Sequence, residues 1–303
     1  MRRLILAVAL VTPACELEEI TVVDFTDVVV AEVYVTLPDD PAANGVRAFL
    51  HGTAAGSAPD ARTFDDALVR VRRDDGLTLD LAVVPIEECL ESSPDDATGT
   101  CFAADSALAA QLLPGDVLEL GITLGDGGTV LGATTVPAGF QLGGMGAQCR
   151  VPPDTLLDVV WSRSDGAWAY VNETMIAGLS TALAAEGIEA ADPLYLLGLS
   201  ISATDTTIVF PSEFGVFDRF DLDQDLAVRL QRGLPDQTSA RVSIAAVERN
   251  YVNWVRGGNF NPSGAVRVSS LRGAATGVFG AAVIREATVL SSAGPLLGVP
   301  DCA

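Results

Sequence analysis

Four of the five cysteines are placed where covalent cross-linking is the expected chemistry. Cys89 and Cys101 flank the polar stretch LESSPDDATGT, so a disulfide between them would close a short local loop. Cys149 and Cys302 would then form the second pair. Four cysteines allow three connectivities, and buried free thiols are the alternative to any pairing. Loop entropy predicts ~3 kcal/mol of stabilisation for the short loop and ~5 kcal/mol for the long one.

The single histidine, His51 in AFLHGT, could act as a general base or a metal ligand. A Ser-His-Asp triad would have to use it, yet the chain has no GxSxG elbow, and GLSIS at residues 198–202 breaks that pattern. No CxxC accompanies the histidine, so the usual Cys/His ligand set for zinc is missing. We therefore interpret His51 as a residue at the end of a strand or in a turn.

Three alternating aspartates, Asp221, Asp223 and Asp225 in DLDQDLAVRL, supply oxygen atoms at a spacing that could begin a calcium loop. An EF-hand loop also needs glycine at its sixth position and glutamate at its twelfth, where this chain has Leu226 and Arg232. Because the EF-hand pattern fails, we interpret the aspartates as a solvated acidic strand edge. A calcium site of another type is the alternative, and no cofactor is predicted.

Catalysis by a carboxylate pair would require two close, buried carboxylates of unequal pKa. The chain has 40 acidic residues, and nothing in the sequence selects two of them. A group of aromatic residues could form a platform for stacking a sugar, although core or interface packing is the favoured interpretation. These aromatic residues are Trp161, Trp168, Trp254, Tyr170, Tyr195 and Tyr251.

The first fifteen residues have the layout of an export signal. Two arginines precede an apolar run at residues 4–11, and small or helix-breaking residues follow. The run is far shorter than the roughly 20 apolar residues of a membrane-spanning helix. Ala14-Cys15 resembles the lipobox of bacterial lipoproteins, in which the cysteine sulfur receives a diacylglyceryl group before cleavage. Thr12 stands where that motif usually has leucine, and an ordinary cleaved signal is the alternative.

Lipidation at Cys15 would leave four cysteines, an even number that suits disulfide pairing in an oxidising compartment. It predicts a protein attached to the membrane through its acyl chains, in the cell envelope. Glu16 follows the cysteine, whereas an aspartate at that position retains some bacterial lipoproteins at the inner membrane. The outer membrane is therefore the expected location, on its periplasmic or its surface face.

The charge balance is strongly acidic, with 40 Asp and Glu against 18 basic residues, all arginine, and a formal net charge of -22. Such a surface repels nucleic acid, so no nucleic-acid partner is expected. It also disfavours direct adsorption to an anionic bilayer through protein charges.

Short strands and hairpin turns dominate the rest of the chain. In DALVRVRRDDGLTLDLAVVP, apolar and polar residues alternate on both sides of Asp75-Gly76, and GDVLELGITLGDGGTVLGATTVP repeats this plan around GDGG. Alternation of this kind predicts strands with one buried face. A helix is expected near residues 172–192 and a helical turn near residues 247–254, before Gly257-Gly258.

The predicted fold class is mainly β, with an immunoglobulin-like antiparallel β-sandwich followed by a second β-rich domain with one or two short helices. The Gly-rich stretch AGFQLGGMGAQC shows neither the helical nor the strand period of apolar residues. It is interpreted as the linker between the two predicted domains. The expected organisation is a lipoprotein signal peptide at 1–14, a tether at 15–25, the sandwich at 26–137, the linker at 138–149 and the second domain at 150–303.

Several stretches resemble the bacterial lipoproteins of the domain of unknown function 4249 family. The order of a lipobox cysteine, VVVAEVYVTL and LLPGDVLELGITLGDGGTVLGATTVP is similar to that family's N-terminal part. The late stretch GGNFNPSGAVRVSSLRGAATGVFGAAV is similar to its C-terminal signature. The resemblance implies association with a TonB-dependent receptor of the outer membrane, and it implies no catalytic residues.

These observations favour a binding or accessory role over catalysis. The expected protein is a lipid-anchored accessory or solute-binding lipoprotein, attached through Cys15, whose tether raises its local concentration near a membrane partner. A hydrolase of polysaccharide or peptide and a structural or adhesive surface protein are the alternatives.

Overall fold

The computed structural model describes residues 28–53, 63–90, 98–200, 202–212, 224–256 and 267–303. Within these ranges the protein is mainly β, with one mixed sheet of 13 strands and a small sheet of three strands. This confirms the predicted mainly-β fold class and is consistent with a β-sandwich. The predicted signal at 1–14 and the predicted tether at 15–25 lie outside the described residues.

The strands follow the chain in two groups. The first seven are β1 (Val29–Leu37), β2 (Gly45–Gly52), β3 (Leu68–Arg73), β4 (Thr78–Val84), β5 (Thr100–Ala104), β6 (Val117–Thr123) and β7 (Thr129–Thr135). The next nine are β8 (Leu142–Gly143), β9 (Gln148–Val151), β10 (Leu157–Trp161), β11 (Ala169–Ala177), β12 (Leu194–Leu199), β13 (Thr207–Phe210), β14 (Ser239–Val247), β15 (Leu271–Gly273) and β16 (Thr276–Ser291).

The two hairpins that the alternating sequences predict are present. Strand β3 pairs antiparallel with β4, and β6 pairs antiparallel with β7. Gly76 lies in the first turn with a φ of 98°, a left-handed conformation that glycine adopts without steric cost. The turn chemistry and the alternation therefore predicted both the pairing and its position.

Strand β1 shows how sequence alternation divides the sheet into two faces. Val33 and Val35 are fully buried in the core, whereas their neighbours Glu32 and Tyr34 point to the opposite face. Successive side chains of a strand point to opposite faces, so one apolar set fills the core while the polar set stays available on the other face.

The large sheet runs in the order β12-β11-β14-β16-β1-β2-β5-β4-β3-β6-β7-β15, with β9 paired to β16. Strand β1 pairs antiparallel with β2 and parallel with β16, so the first and second halves of the chain share one ladder of backbone hydrogen bonds. The segment predicted as a linker, 138–149, contributes β8 and buries the side chain of Phe140. Strands β13, β10 and β8 form the small sheet.

The GVFGA stretch of β16 needs its two glycines for close backbone approach. Gly277 has a φ of 140°, and a Cβ atom there would lie 1.9 Å from the carbonyl oxygen of Ala31 in β1. A Cβ atom on Gly280 would lie 3.3 Å from the Cβ atom of Tyr251 in the helix that packs over the strand. The first glycine therefore permits the parallel pairing of β1 with β16, and the second permits close helix packing.

Four α-helices occur in the described residues, one of them within 26–137 and three within 150–303, the region for which one or two short helices were predicted. They are α1 (Ser106–Ala109), α2 (Leu179–Ala182), α3 (Gln224–Leu230) and α4 (Arg249–Arg256), with 3₁₀ helices at Pro41–Ala43, Ile86–Glu88 and Ala184–Glu186. Helices α2 and α4 match the expected positions, and Gly187 ends the helical segment after α2 in the left-handed conformation. None of the helices in the described ranges is long and apolar enough to cross a membrane.

Helix α3 corrects the prediction of a strand edge at Asp225. It begins at Gln224, and its Leu226 and Leu230 are buried four residues apart on one helical face. The alternating aspartates suggested a strand, but the apolar residues after them follow the helical period. Asp221 and Asp223 lie outside the described residues.

Both disulfides have the favoured pairing, Cys89 with Cys101 and Cys149 with Cys302. The first joins the end of the 3₁₀ helix Ile86–Glu88 to β5, next to β2 in the sheet. The second joins β9 to the chain end, where Arg150 also forms an ion pair with Asp301. The two bonds thus fix one surface helix and one terminal segment.

Candidate functional site

A cleft of about 520 Å³ opens on the face of the large sheet that is turned away from the core. We call it the acidic cleft. Its floor is formed by outward-pointing residues of five adjacent strands, β11, β14, β16, β1 and β2, and its sides by α4 and the segment 87–90. Its volume falls in the range of about 300–1,000 Å³ that is usual for small-molecule sites.

Three aromatic rings line the acidic cleft. Tyr34 of β1 and Tyr251 of α4 meet edge to face, with ring centroids 5.4 Å apart. Phe49 on β2 lies opposite Glu32 in the β1–β2 pairing and also faces the cleft. Aromatic faces carry a negative quadrupole, so this lining attracts a cation more than an anion.

Four carboxylates line the same cleft, against one arginine. The carboxylates belong to Glu32, Glu87, Glu88 and Glu173, and the arginine is Arg47. They come from strand β1, the short helix Ile86–Glu88 and strand β11, which are distant in sequence. The site therefore concentrates negative charge beside aromatic rings.

Glu32 has a fixed orientation at one end of the cleft. Its Oε1 atom accepts a hydrogen bond from the indole Nε1 of Trp254 at 3.0 Å and one from Arg267 at 3.4 Å. The guanidinium of Arg267 also lies over the Trp254 ring, 4.8 Å from the centroid. Arg267 therefore offsets part of the charge of Glu32.

The two tyrosine hydroxyls of the cleft stay neutral at physiological pH. Burial raises the pKa of Tyr34, and the nearby Glu32 carboxylate raises it further. Burial also raises the pKa of Tyr251, with additional contributions from Glu173 and Glu32. Both hydroxyls can therefore donate or accept a hydrogen bond without carrying charge.

Helix α4 forms one side of the cleft because Glu248 and Gly280 position it. The Glu248 carboxylate accepts hydrogen bonds from the backbone N–H groups of Asn250 at 2.6 Å and Tyr251 at 2.9 Å, which caps the first turn. Burial raises the pKa of Glu248, while these backbone hydrogen bonds oppose the rise. The space left by Gly280 lets the Tyr251 ring lie against the sheet.

The segment 87–90, on the other side of the cleft, is fixed by the Cys89–Cys101 disulfide. Cys89 lines the cleft itself, and its partner lies in β5, which pairs with β2. The disulfide therefore sets the position of Glu87 and Glu88 relative to Phe49. Cross-linking and the sheet register together define the shape of the site.

The predicted site residues have separate positions. His51 lies at the end of β2, where its Nδ1 atom is 3.0 Å from the Gly52 carbonyl oxygen and its ring stacks on Phe49, which confirms the strand-end interpretation. Asp225 lies in the first turn of α3. Within the described ranges, no group of three or more His, Cys, Asp or Glu residues is arranged to bind a metal ion. Cys15 lies outside these ranges.

The carboxylate pair required by the hydrolase alternative has no counterpart in the part of the chain that the structure describes. Glu248 is the only buried carboxylate there, and its oxygens cap α4. Of the candidate aromatic platform, Trp161, Trp254 and Tyr170 are buried, Tyr251 lines the cleft, and Trp168 and Tyr195 are exposed. The six aromatic residues thus do not form one surface.

Sequence reasoning did not select Glu32, Tyr34 and Glu173. The signal that could have found Glu32 and Tyr34 was present, because the alternation in VVAEVYVTL puts both on the face opposite the core. The proximity of Glu32 and Tyr34 to Tyr251 and Glu173 depends on the strand order β11-β14-β16-β1. Local sequence patterns do not specify this order.

No protein-family model matches this chain, and no curated protein is significantly similar to it. The function proposed below is therefore argued from the chemistry of the residues and from the geometry of the acidic cleft.

Proposed function

We propose that this protein is a lipid-anchored lipoprotein of the bacterial cell envelope that binds a cationic solute, or a cationic group of a membrane partner, in the acidic cleft. The observation that carries the proposal is the pair of disulfides, because stable disulfides are typical of exported proteins. The signal-like N-terminus and the lipobox-like Cys15 are consistent with export followed by anchoring.

The outer membrane is the proposed location, and a TonB-dependent receptor is the proposed partner. The resemblance of the N-terminal and GVFGA stretches to uncharacterised envelope lipoproteins supports both. An acyl anchor on Cys15 would keep the cleft near the membrane, which raises its effective concentration for a receptor without any further contact.

The preference of the cleft for a cation follows from its lining. Four carboxylates and three aromatic rings face a space of about 520 Å³, with a single arginine among the lining residues that the structure describes. A cation over an aromatic ring gains about 0.5–2 kcal/mol, more as the site loses water. A quaternary ammonium or a guanidinium would meet both types of partner at once.

The anchor is tested by fractionating cells that express the full chain or its Cys15→Ser variant. Wild-type protein should sediment with outer membranes, and mass spectrometry should find an acylated cysteine at its mature N-terminus. The variant should appear in the soluble fraction. A wild-type protein that is released on cell lysis with a bare thiol would contradict the proposed anchor.

The cleft is tested with choline and its uncharged isostere 3,3-dimethylbutan-1-ol, measured by calorimetry on the full chain in detergent. Wild type and the exposed-surface control Glu119→Gln should bind choline more tightly than the isostere. Glu173→Gln should lose up to about fivefold in choline affinity, which corresponds to the roughly 1 kcal/mol upper limit for an exposed charge interaction. Equal affinity for the two probes in wild type would overturn the cationic preference.

The partner is tested by cross-linking in intact cells, purification from detergent and identification by mass spectrometry. A TonB-dependent receptor should be recovered with wild type and should be depleted with Cys15→Ser. Recovery of the chain as a single species in both cases would count against a receptor partner.

A further inference from the structure

A second cavity, of about 650 Å³, lies on the opposite side of α4 from the acidic cleft. Strand β7, helix α4 and the segment that leads into β15 enclose it. Arg249 and Asn253 line it from α4, and Arg272 lines it from β15. We call it the arginine pocket.

Charge distinguishes this pocket from the rest of the protein. None of its lining residues is acidic, and Arg249 and Arg272 form no ion pair with any residue that the structure describes. By contrast, Arg70, Arg73 and Arg229 each lie within ion-pair distance of a carboxylate. Two guanidinium groups without an ion pair to a described residue thus line one cavity, in a chain with more than twice as many acidic as basic residues.

The sequence shows the same segregation of charge. The 37 residues between Glu248 and Glu286 contain five arginines and no acidic residue, whereas the chain average of 40 acids in 303 residues would give about five acids in that length. The segment includes α4 and β15, and two of its five arginines, Arg249 and Arg272, line the pocket. Its own sequence brings no carboxylate that could neutralise them.

The wall that carries Arg249 is fixed in place. The Arg249 guanidinium stacks over the exposed ring of Trp168, 5.0 Å from its centroid. The side-chain amide of Asn250 donates hydrogen bonds to the carbonyl oxygens of Ala133 at 2.9 Å and Phe279 at 3.0 Å, which fastens α4 to β7 and β16. Such positioning before binding reduces the entropy that a ligand would have to offset.

The pocket also offers exposed apolar surface and a free amide. Leu131 and Val268 line it and are 61% and 62% exposed, which is high for large apolar side chains. The amide of Asn253 makes no hydrogen bond to any described residue, so it remains available as a donor. Charged and apolar groups are thus presented side by side.

We infer that the arginine pocket is a binding site for a small organic anion, consisting of a carboxylate or phosphate group joined to an apolar body. The guanidinium fork of arginine matches carboxylate and phosphate oxygens in paired hydrogen bonds, and Asn253 supplies a further donor. The apolar body would cover Leu131 and Val268. The negative charge elsewhere on the protein is screened beyond about 8 Å at physiological salt, so the contacting arginines dominate.

The test is calorimetric titration of the full chain in detergent with phenyl phosphate, with inorganic phosphate and benzyl alcohol as matched probes. Wild type should bind phenyl phosphate in a saturable manner and more tightly than either probe that lacks one of its parts. Arg272→Gln, whose side chain makes no hydrogen bond or ion pair with any described residue, should weaken binding about tenfold or more, as expected for a charge-assisted hydrogen bond. Arg249→Gln should have a similar effect, and Arg70→Gln is the control.

No saturable binding of phenyl phosphate by wild type, or unchanged affinity in Arg272→Gln, would overturn the inference. Binding lost equally in Arg272→Gln and Arg70→Gln would also overturn it, because it would then reflect general charge. The inference does not depend on the acidic cleft, and choline binding in these same variants separates the two sites.

Vesicles separate the two sources of such an anion. Vesicles with phosphatidylglycerol that compete with phenyl phosphate for wild type, but not for Arg272→Gln, would assign the pocket to a lipid headgroup. Vesicles that fail to compete would assign it to a free organic anion.

Discussion

The two sides of helix α4 differ sharply in charge. On one side, the acidic cleft combines four carboxylates with Tyr34, Phe49 and Tyr251. On the other, the arginine pocket combines two guanidinium groups with Leu131 and Val268. A helix of eight residues separates the two environments.

The difference shows two ways in which a chain builds a charged site. The cleft collects carboxylates from three elements that are distant in sequence, so the strand order creates it. The arginine pocket takes both of its arginines from one acid-free segment, so local composition creates it. Variants that act on the helix should therefore affect both sites, whereas variants in the contributing elements should affect one.

Removing the Trp254 side chain should have the largest effect, because Trp254 lies in helix α4, which separates the acidic cleft from the arginine pocket. Trp254 is buried against Val30 and Val278 and donates a hydrogen bond to Glu32. We expect Trp254→Ala to lower the free energy of unfolding by about 3–5 kcal/mol and to weaken both choline and phenyl phosphate binding. Urea unfolding and calorimetry would measure these changes.

The half-exposed Trp168 provides the matched control. Trp168→Ala should cost under about 1 kcal/mol of stability and should weaken only phenyl phosphate binding, because its ring stacks with Arg249 and does not line the acidic cleft. Equal losses of stability in the two variants would show that α4 does not depend on Trp254.

Removing the Cys89–Cys101 disulfide should affect the cleft and leave the arginine pocket unchanged. The bond closes a short loop with a sequence separation of 12, so its replacement by two serines should cost about 3 kcal/mol. Choline affinity should fall because Glu87 and Glu88 lose their fixed position. Phenyl phosphate affinity that fell to the same extent would refute the separation of the two sites.

Replacing Glu248 should produce a smaller change that depends on pH. Loss of the cap in Glu248→Ala should cost about 1 kcal/mol. Burial raises the pKa of Glu248, so the folded state takes up its proton more readily than the unfolded state. The free energy of unfolding of wild type should therefore fall as pH rises from the ordinary carboxyl pKa to the raised one.

Glu248→Gln provides the comparison for that pH dependence. It retains an acceptor oxygen but has no proton to exchange, so its stability should lack this component of the pH dependence. Parallel urea titrations between about pH 4 and pH 8 would measure the difference. If the free energy of unfolding changed with pH at the same slope in both proteins, this would contradict the burial of an ionisable Glu248.

The smallest effect concerns the two tyrosines of the cleft. Burial raises the pKa of both Tyr34 and Tyr251, so their hydroxyls should ionise only well above the ordinary tyrosine range. Their contribution to stability should be present at neutral pH and should be lost as pH rises above that range. In an ultraviolet titration, Tyr34→Phe and Tyr251→Phe should each remove a late-titrating component, and a variant that removes an early one would contradict this.

Local patterns predicted much of the fold. Alternation placed β1, β3, β4, β6 and β7, and the Asp75-Gly76 and GDGG turns placed their hairpins. The spacing of the cysteines favoured both disulfides. The strands and hairpins depend on neighbouring residues, and the second disulfide follows once Cys89 and Cys101 are paired. A single sequence is therefore sufficient to infer these features.

Two short helices, and the features that depend on distant residues, were not predicted. The alternating aspartates concealed the helical spacing of Leu226 and Leu230 in α3, and α1 has only four residues, too few to show a period. The parallel pairing of β1 with β16, which brings Tyr34 beside α4, joins positions far apart in the chain. Loop-closure entropy opposes such pairings, and only the packing of the whole core stabilises them.

The pairing of Val30 with Thr276 also sets an order of assembly, because the two residues are separated by 246 positions. Strand β1 is made early in synthesis, yet one of its two neighbours in the sheet is made near the end. The middle of the sheet therefore remains incomplete until β16 has been synthesised, and contacts of such high sequence separation form slowly. A chain truncated before β16 would expose an edge of β1 and would be prone to aggregation.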